Sequence, residues 1–222
     1  MWTTVSGCEI RVANGRLNDY ASDAETLIVL PCNEYFDDEC ARDPKSSLGA
    51  YVKRTFEGQV DAFISLMTEE AKKQLGAGVV QQKSDKERAE SFGVGRCVLL
   101  LKPLNHTAPI ALVSTTTQRA AQGLAGRISY LFDGMRELVA RLADTPRLNE
   151  VAMPILGSGH GRIDLPLALV GLLLAVAEAA RYGQGGRLRR VTIIVYKQDA
   201  DAPAQVDQVV VRRALALIGS RD

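Results

Sequence analysis

The chain predicts a three-layer α/β/α architecture, a mixed central sheet with helices on both faces, and three observations carry that prediction. In the second half, strand-like and helix-like segments alternate: 150–156 as strand, 163–181 as helix, 190–196 as strand and 203–218 as helix. Residues 26–32, TLIVLPC, form a nearly unbroken apolar run, the pattern of a strand covered on both faces. The 222 residues, 46% hydrophobic and 24% charged, suffice for a sizeable core. No internal repeat, low-complexity tract or linker divides them, so one domain over 1–222 is expected.

In order, 9–17 reads as the first strand and 26–32 as the second, joined by the polar stretch NDYASDAE. A loop rich in Asp and Glu spans 33–44, and SSLGAYVKRTF follows over 46–56. Phe63, Ile64, Leu66, Met67 and Leu75 keep a helical rhythm that predicts a helix over 61–75. GAGVV starts a short strand near 78–81, and the charged, glycine-bounded segment 83–95 reads as a solvated turn or hairpin edge. Strands over 97–101 and 110–114 flank KPLNHTAP, whose two prolines mark a connection. Leu124, Ile128, Leu131, Met135, Leu138 and Leu142, three and four apart, predict a long helix over 122–142. The longest apolar run, 165–177, has 13 residues. It falls short of the roughly 20 that cross a bilayer and reads as a buried helix. Pro203 is placed at the start of the final helix.

Composition narrows the function classes. A net charge of +1 gives no general attraction to nucleic acid or anionic membrane, and an aromatic share of 5% argues against a base-stacking platform. Any anion recognition must be local. Cys8, Cys32, Cys40 and Cys97 contain no C-x-x-C pair, and His106 and His160 are the only histidines, so no metal site is expected. Thiols within apolar runs behave as small hydrophobes and suggest a reducing, cytoplasmic setting. The first seven residues have neither the basic nor the apolar region of a secretory leader, and membrane contact is expected only through a segment outside this chain.

The most informative segment is Pro154-Ile-Leu-Gly-Ser-Gly-His-Gly161, followed by Arg162, Ile163 and Asp164. It joins a strand to a helix. Gly157, Gly159 and Gly161 allow positive φ and close backbone approach, and a helix start offers unpaired amides, a combination suited to phosphate. A tight turn with glycines for steric reasons alone is the plain alternative. Neither a Walker loop nor the dinucleotide fingerprint fits, because no G-K-[ST] closes the segment and it does not follow the first strand. A second candidate is Asn33 at the end of the second strand, with Ser46-Ser47-Leu48-Gly49-Ala50 beyond the acidic loop. Ligands gather at the carboxyl ends of strands in open α/β sheets, so both loops could line one cleft. Taken singly, Asn33 is a turn former and Ser46 or Ser47 a helix N-cap.

The succession of TLIVLPCN, SSLGAYV, VAMPILGSGHGRIDL and RRVTIIVY resembles the macro domain over nearly the whole chain. Members of that family hold ADP-ribose or related nucleotides between two such loops. The family's Asn-Ala-Ala-Asn pattern is reduced here to the Asn33 of Leu30-Pro31-Cys32-Asn33. Ser46-Ser47-Leu48-Gly49 stands for its first glycine loop, and Gly157–Gly161 matches its second. The acidic residue that contacts adenine in the family is missing, since Arg16 follows Gly15, which leaves Asp19 or Asp23 as substitutes. The insertion NEYFDDECARDPKSSLGAY further resembles the macro domain of Thoeris-type anti-phage effectors, in which the module senses an ADP-ribose-derived signal made by a partner TIR enzyme.

The resemblance implies a binding module for an ADP-ribose-type nucleotide, with self-association into a homo-oligomer as a further partner and no resident cofactor, metal or catalytic residue. The implied ligand-binding set is Asn33, Phe36, Ser46, Ser47, Leu48, Gly49, Ala50, Leu156, Gly157, Ser158, Gly159, His160, Gly161, Arg162 and Tyr196. Amides of 157–161 and 47–50 would grip a diphosphate, Phe36 and Tyr196 would flank adenine or ribose, and Arg162 and Arg54 would supply counter-charge. Ligand binding would order the acidic loop 34–45, a run otherwise read as solvated surface. The rival reading is an ADP-ribosyl hydrolase in which Asn33 positions a water or a substrate hydroxyl. A scaffold with an empty cleft is a third.

Overall fold

The computed structural model describes residues 1–84, 86–119, 123–145, 147–182, 188–196 and 206–219. Its strands are β1 (Trp2–Val5), β2 (Cys8–Gly15), β3 (Thr26–Asn33), β4 (Val79–Ser84), β5 (Glu87–Ser91), β6 (Cys97–Leu100), β7 (Ile110–Arg119), β8 (Gly123–Gly126), β9 (Glu150–Pro154) and β10 (Arg190–Tyr196). The helices are α1 (Asp38–Arg42), α2 (Ser47–Thr55), α3 (Val60–Leu75), α4 (Ile128–Ala143), α5 (Leu165–Tyr182) and α6 (Gln208–Gly219). The main sheet runs β1-β2-β10-β9-β3-β7-β6, with β8 paired to β7, while β4 and β5 form a separate hairpin. β2, β10, β9, β3 and β7 are mutually parallel, so their carboxyl ends share one end of the sheet. β1, β6 and β8 add antiparallel.

Side-chain alternation divides the interior into two layers. Leu27 and Val29 of β3, Ala111 and Val113 of β7, Val151 and Met153 of β9, and Val191 and Ile193 of β10 enter the core beneath α4, α5 and α6. Ile28 and Leu30, Ile110 and Leu112, Ala152 and Ile194 face the other core, beneath α1, α2 and α3. A period of two with apolar residues at both phases is what a sheet buried on both faces demands. The apolar run of 165–177 belongs to an 18-residue helix, α5, with nine of its residues buried.

The β6 edge is closed by a side chain. The Gln74 amide donates to Leu99 O (2.7 Å) and its Oε1 accepts from Leu99 N (2.9 Å), as an adjoining strand would. An open edge strand invites pairing with other chains, and α3 blocks that here.

Several expectations change. β1 went unread because four residues at an edge carry little pattern. Residues 123–126 are strand rather than helix, and α4 begins at Ile128. Leu124 fits the helical spacing by coincidence, for it packs in the α1–α3 core whereas Leu131 and Met135 pack in the opposite one. The acidic loop contains α1, capped by the Asp37 side chain accepting from Glu39 N (3.2 Å). Segment 83–95 supplies the β5 strand of the hairpin. α6 starts at Gln208, and Pro203 lies outside the described residues.

Candidate functional site

β3 and β9 are neighbours, yet they pair only at Thr26, Leu27 and Ile28. Beyond that point they diverge, and the chain leaves β9 for α5 on one face of the sheet but leaves β3 for α1 and α2 on the other. Such a reversal opens a crevice at the carboxyl ends of the strands. Pro31 fits the split. The Ile28 amide donates toward β7, to Pro109 O (3.0 Å). By alternation the main chain of Pro31 faces β9, where no partner needs the N–H that proline lacks.

The crevice holds a cavity of about 110 Å³ lined by both loops: Ser46 and Ser47 on one side and Gly157 to Gly161 on the other. Pro31, Cys32, Thr115, Thr116 and Ile155 form its floor. Thr115 and Thr116 both reach it because the β3–β7 register slips, pairing Cys32 with Ser114 and Asn33 with Thr116. The extra residue is a bulge, which lets consecutive side chains serve one surface. Sequence reasoning missed these threonines. Their signal was the polar run STTTQR closing an apolar strand.

The glycine loop folds on itself. Gly157 has φ +82°, and its carbonyl accepts from Ile163 N (3.2 Å), while Gly159 O accepts from Arg162 N (3.0 Å). A Cβ on Gly161 would stand 2.5 Å from Gly157 O, so close approach excludes a side chain there. A Cβ on Gly159 would meet nothing within 4 Å. The Ser158 hydroxyl donates to Ile155 O (3.1 Å). The amides of Ser158, Gly159, His160 and Gly161 meet no acceptor among the described residues. Consecutive unclaimed N–H groups of this kind make an anion-binding concavity.

Helix starts contribute less than the sequence suggests. At α5, Asp164 takes the Leu167 amide (3.3 Å), so a carboxylate already occupies that positive end. At α2, Ser46 is the N-cap: its Oγ accepts from Gly49 N (2.7 Å) and its carbonyl from Ala50 N (2.9 Å). Only the first two amides, Ser47 and Leu48, lack an intrahelical acceptor. Gly49 is required for packing, since a Cβ there would fall 2.1 Å from Asp43 O.

Other residues of the expected set lie off the cavity wall. Phe36 is fully buried at φ +49°, edge-on to Phe92 with centroids 6.0 Å apart, and flanks no open space. Leu48 and Leu156 are core residues and Ala50 is exposed on α2. Tyr196 is exposed at the end of β10. Arg162 is exposed with φ +56°, its guanidinium near Gly123, and Arg54 sits in the last turn of α2, away from Ser46. Asn33 is buried and committed on both ends: Nδ2 donates to Asp37 Oδ1 (2.8 Å) and Oδ1 accepts from Tyr35 N (3.1 Å). It holds the loop. Asp23 caps its own turn, accepting from Glu25 N and the Thr26 hydroxyl. Asp19 accepts from Arg16 N (3.2 Å) in the 3-10 turn after β2.

The acidic loop is anchored even though Asp38, Glu39 and Asp43 reach solvent. Lys83, 9% exposed on β4, pairs with Asp37 Oδ2 at 2.7 Å and lies near Glu39 (3.9 Å) and Glu87 (3.7 Å). Burial pulls its ammonium pKa down, but the Asp37 bond and the three carboxylates outweigh this and move it up. Glu34, also buried, accepts from Gln81, Ser91 and the Gln118 amide. Burial raises the Glu39 carboxyl above its ordinary value, a shift partly offset by Lys83.

One contact joins the two loops directly. His160 Nε2 lies 2.7 Å from Asp43 Oδ2, across 117 residues of chain. Asp43 also accepts from Lys45 N (2.8 Å), which holds its carboxyl below the usual range, with His160 adding to the effect. Among the described residues no group of His, Cys, Asp and Glu is arranged to hold a metal ion. All four cysteines are buried free thiols.

Comparison with solved structures places this architecture. The Oceanobacillus iheyensis macrodomain with ADP aligns over 100% of this chain and 97% of its own, with TM-score 0.65 and 12% identity. The Trypanosoma brucei macrodomain in complex with ADP-ribose aligns over 95% and 69%, with TM-score 0.56 and 13% identity. The macrodomain of Thermus aquaticus DarG aligns over 86% and 99%, with TM-score 0.51 and 19% identity. No curated protein sequence matches. The family model described as "Thoeris protein ThsA, Macro domain" matches residues 17–196, from the turn after β2 to the last residue of β10, and so spans both loops of the crevice. With most of its length under that model, the chain belongs to the family of Thoeris ThsA macro domains.

Proposed function

We propose that this chain is a binding module for ADP-ribose or an ADP-ribose-derived nucleotide, with the diphosphate lodged between the two loops. The observation that carries the reading is the convergence of the Ser46–Ser47 turn and the Gly157–Gly161 loop on one cavity, where four amides of the second loop have no acceptor among the described residues. Diphosphate is the part of such a ligand that unclaimed main-chain donors suit best. The macrodomains of similar fold solved with ADP and with ADP-ribose point the same way. The match to the Thoeris ThsA macro domain model supports reading it as the sensor part of an anti-phage effector; that it answers a messenger made by a TIR enzyme, and does so in the cytoplasm, is part of the same proposal.

Binding is favoured over hydrolysis because Asn33 is fully buried, lies off the cavity wall and is engaged by Asp37 and Tyr35, so it does not face a water in the cavity. Isothermal titration with ADP-ribose tests the proposal, together with Gly159→Val. That position has open space for a side chain, so the variant should fold while adding bulk beside the unclaimed amides. Saturable binding weakened at least about tenfold in the variant is expected, equivalent to about 1.4 kcal/mol. Equal affinity in both proteins would place the ligand elsewhere. Release of free ADP-ribose from an ADP-ribosylated protein would instead favour the hydrolase.

A further inference from the structure

We infer that Asp43 and His160 form a proton-linked clasp in which Asp43 positions the imidazole and His160, as imidazolium, contacts the diphosphate. The inference rests on the reading above. It begins with a mismatch of size: about 110 Å³ admits a phosphate-sized group, whereas sites that enclose whole organic ligands run to roughly 300–1,000 Å³. The part enclosed is therefore the diphosphate, and the contact that ties the enclosing loops together is His160 to Asp43.

The two side chains are 36% and 33% exposed, open enough to exchange protons with solvent. His160 lines the cavity and its own amide is one of the unclaimed donors, so an anion held there lies beside its ring. Asp43 fixes Nε2 and leaves Nδ1 without a partner among the described residues. A neutral imidazole has one N–H and cannot donate to both a carboxylate and a phosphate; an imidazolium can. Placing a second anion beside the ring therefore favours the charged form, and ligand binding takes up a proton.

The other charges around the ring do not reverse this sign. Glu39, on α1, adds negative potential toward His160. Lys45 lines the cavity and sits beside Asp43, Lys83 is engaged by Asp37 and Glu39, and the Cys40 thiol is held neutral by burial at a pKa of about 12. Arg162 and Asp164 follow His160 with opposite charges. Thr115 and Thr116 on β7 do not titrate.

ADP-ribose is the probe because its diphosphate diester has no proton to lose in the neutral range. Titration calorimetry in PIPES and in ACES, buffers of different ionisation enthalpy, should give different heats at one pH, reporting proton uptake. Affinity should rise by about threefold or more from pH 8 to pH 6, within the limit of tenfold per pH unit set by one linked proton. With two histidines in the chain, NMR can follow each imidazole, and added ligand should increase protonation of His160 alone. His160→Gln should abolish the pH dependence. Asp43→Asn should weaken it, because an Asn amide donating to Nε2 favours neutral imidazole. Wild-type binding with buffer-independent heats and a flat pH profile overturns the clasp while leaving the diphosphate reading intact. Absence of ADP-ribose binding at every pH overturns both.

Discussion

Gly159 and Gly161 stand two residues apart in one loop, yet the structure assigns them opposite tolerances. An alanine Cβ at Gly161 would fall 2.5 Å from Gly157 O, inside the 3.0 Å that real Cβ contacts respect, and a tight 3.2 Å from Gly157 C and Cα. The obstructing atom is main chain, so no side chain can swing aside. Overpacking of this kind costs about 1–3 kcal/mol. Relief would also pull Gly161 O away from Gly126 N, a 2.9 Å bond contributing about 0.5–1.5 kcal/mol. Gly161→Ala should thus lose roughly 2–4 kcal/mol, which for a chain of this size lowers Tm by about 5–15 °C. Gly159→Ala meets nothing within 4 Å and should stay within about 0.5 kcal/mol of wild type. Urea denaturation and thermal melts of the two variants side by side make the test. Equal stabilities would refute the claim that one glycine closes the loop while the other leaves room above it.

Other consequences follow from contacts away from the cradle. Gln74→Ala should cost about 1–3 kcal/mol by orphaning both main-chain groups of Leu99, and light scattering should reveal self-association through the opened β6 edge. Lys83→Met should destabilise by about 2–4 kcal/mol in urea melts, because Asp37 and Glu39 lose the cation that compensates them. Burial pushes the Cys8, Cys40 and Cys97 thiols up to about 12, so Ellman's reagent at pH 8 should label the native protein slowly and all four cysteines rapidly in guanidinium. The Asp43 pKa is depressed on folding, so its stabilisation is present above the unfolded carboxylate range and is lost as pH falls through the folded value; Asp43→Asn should flatten the acid limb of the stability profile.

The layered architecture was legible because period-two burial on both faces leaves a plain trace: β3, β7, β9 and β10 are apolar at both phases. The 123–126 strand was not, because Leu124 sits four residues before Ile128 and mimics a helical repeat, while Gly123 and Gly126 carry the contrary signal. The glycine loop announced itself by composition. Which glycine is steric and which leaves open space is decided by Gly157 folding back onto Gly161, a contact within the turn that spacing does not encode. Phe36 illustrates the opposite failure: an aromatic near a presumed site suggests a stacking partner, but its positive φ turns the ring inward against Phe92. The Thr115 bulge is equally silent, since an added residue in one strand becomes visible only against its neighbour's register.

The acidic loop has the most bearing on how the crevice works. Read by charge alone, Glu34 through Asp43 is a segment for a ligand to order. In the fold it is already held: Tyr35, Phe36, Cys40 and Ala41 are buried, and Lys83 reaches from the β4–β5 hairpin to Asp37. Asn33 ties β3 to the same Asp37, and Asp37 caps α1, so one carboxylate joins strand, helix and hairpin. An anchored first loop fixes Asp43, and through Asp43 it reaches His160. Under the proposed binding role the insertion would act as a brace that holds the donors of both loops in place before an anion arrives, and preorganisation of that kind lowers the cost of binding. Hydrogen exchange should therefore find the Glu39 amide, bonded to Asp37, protected without ligand, with ADP-ribose adding protection chiefly at Ser158 to Gly161. Strong ligand-induced protection across α1 instead would mean that the brace forms only on binding.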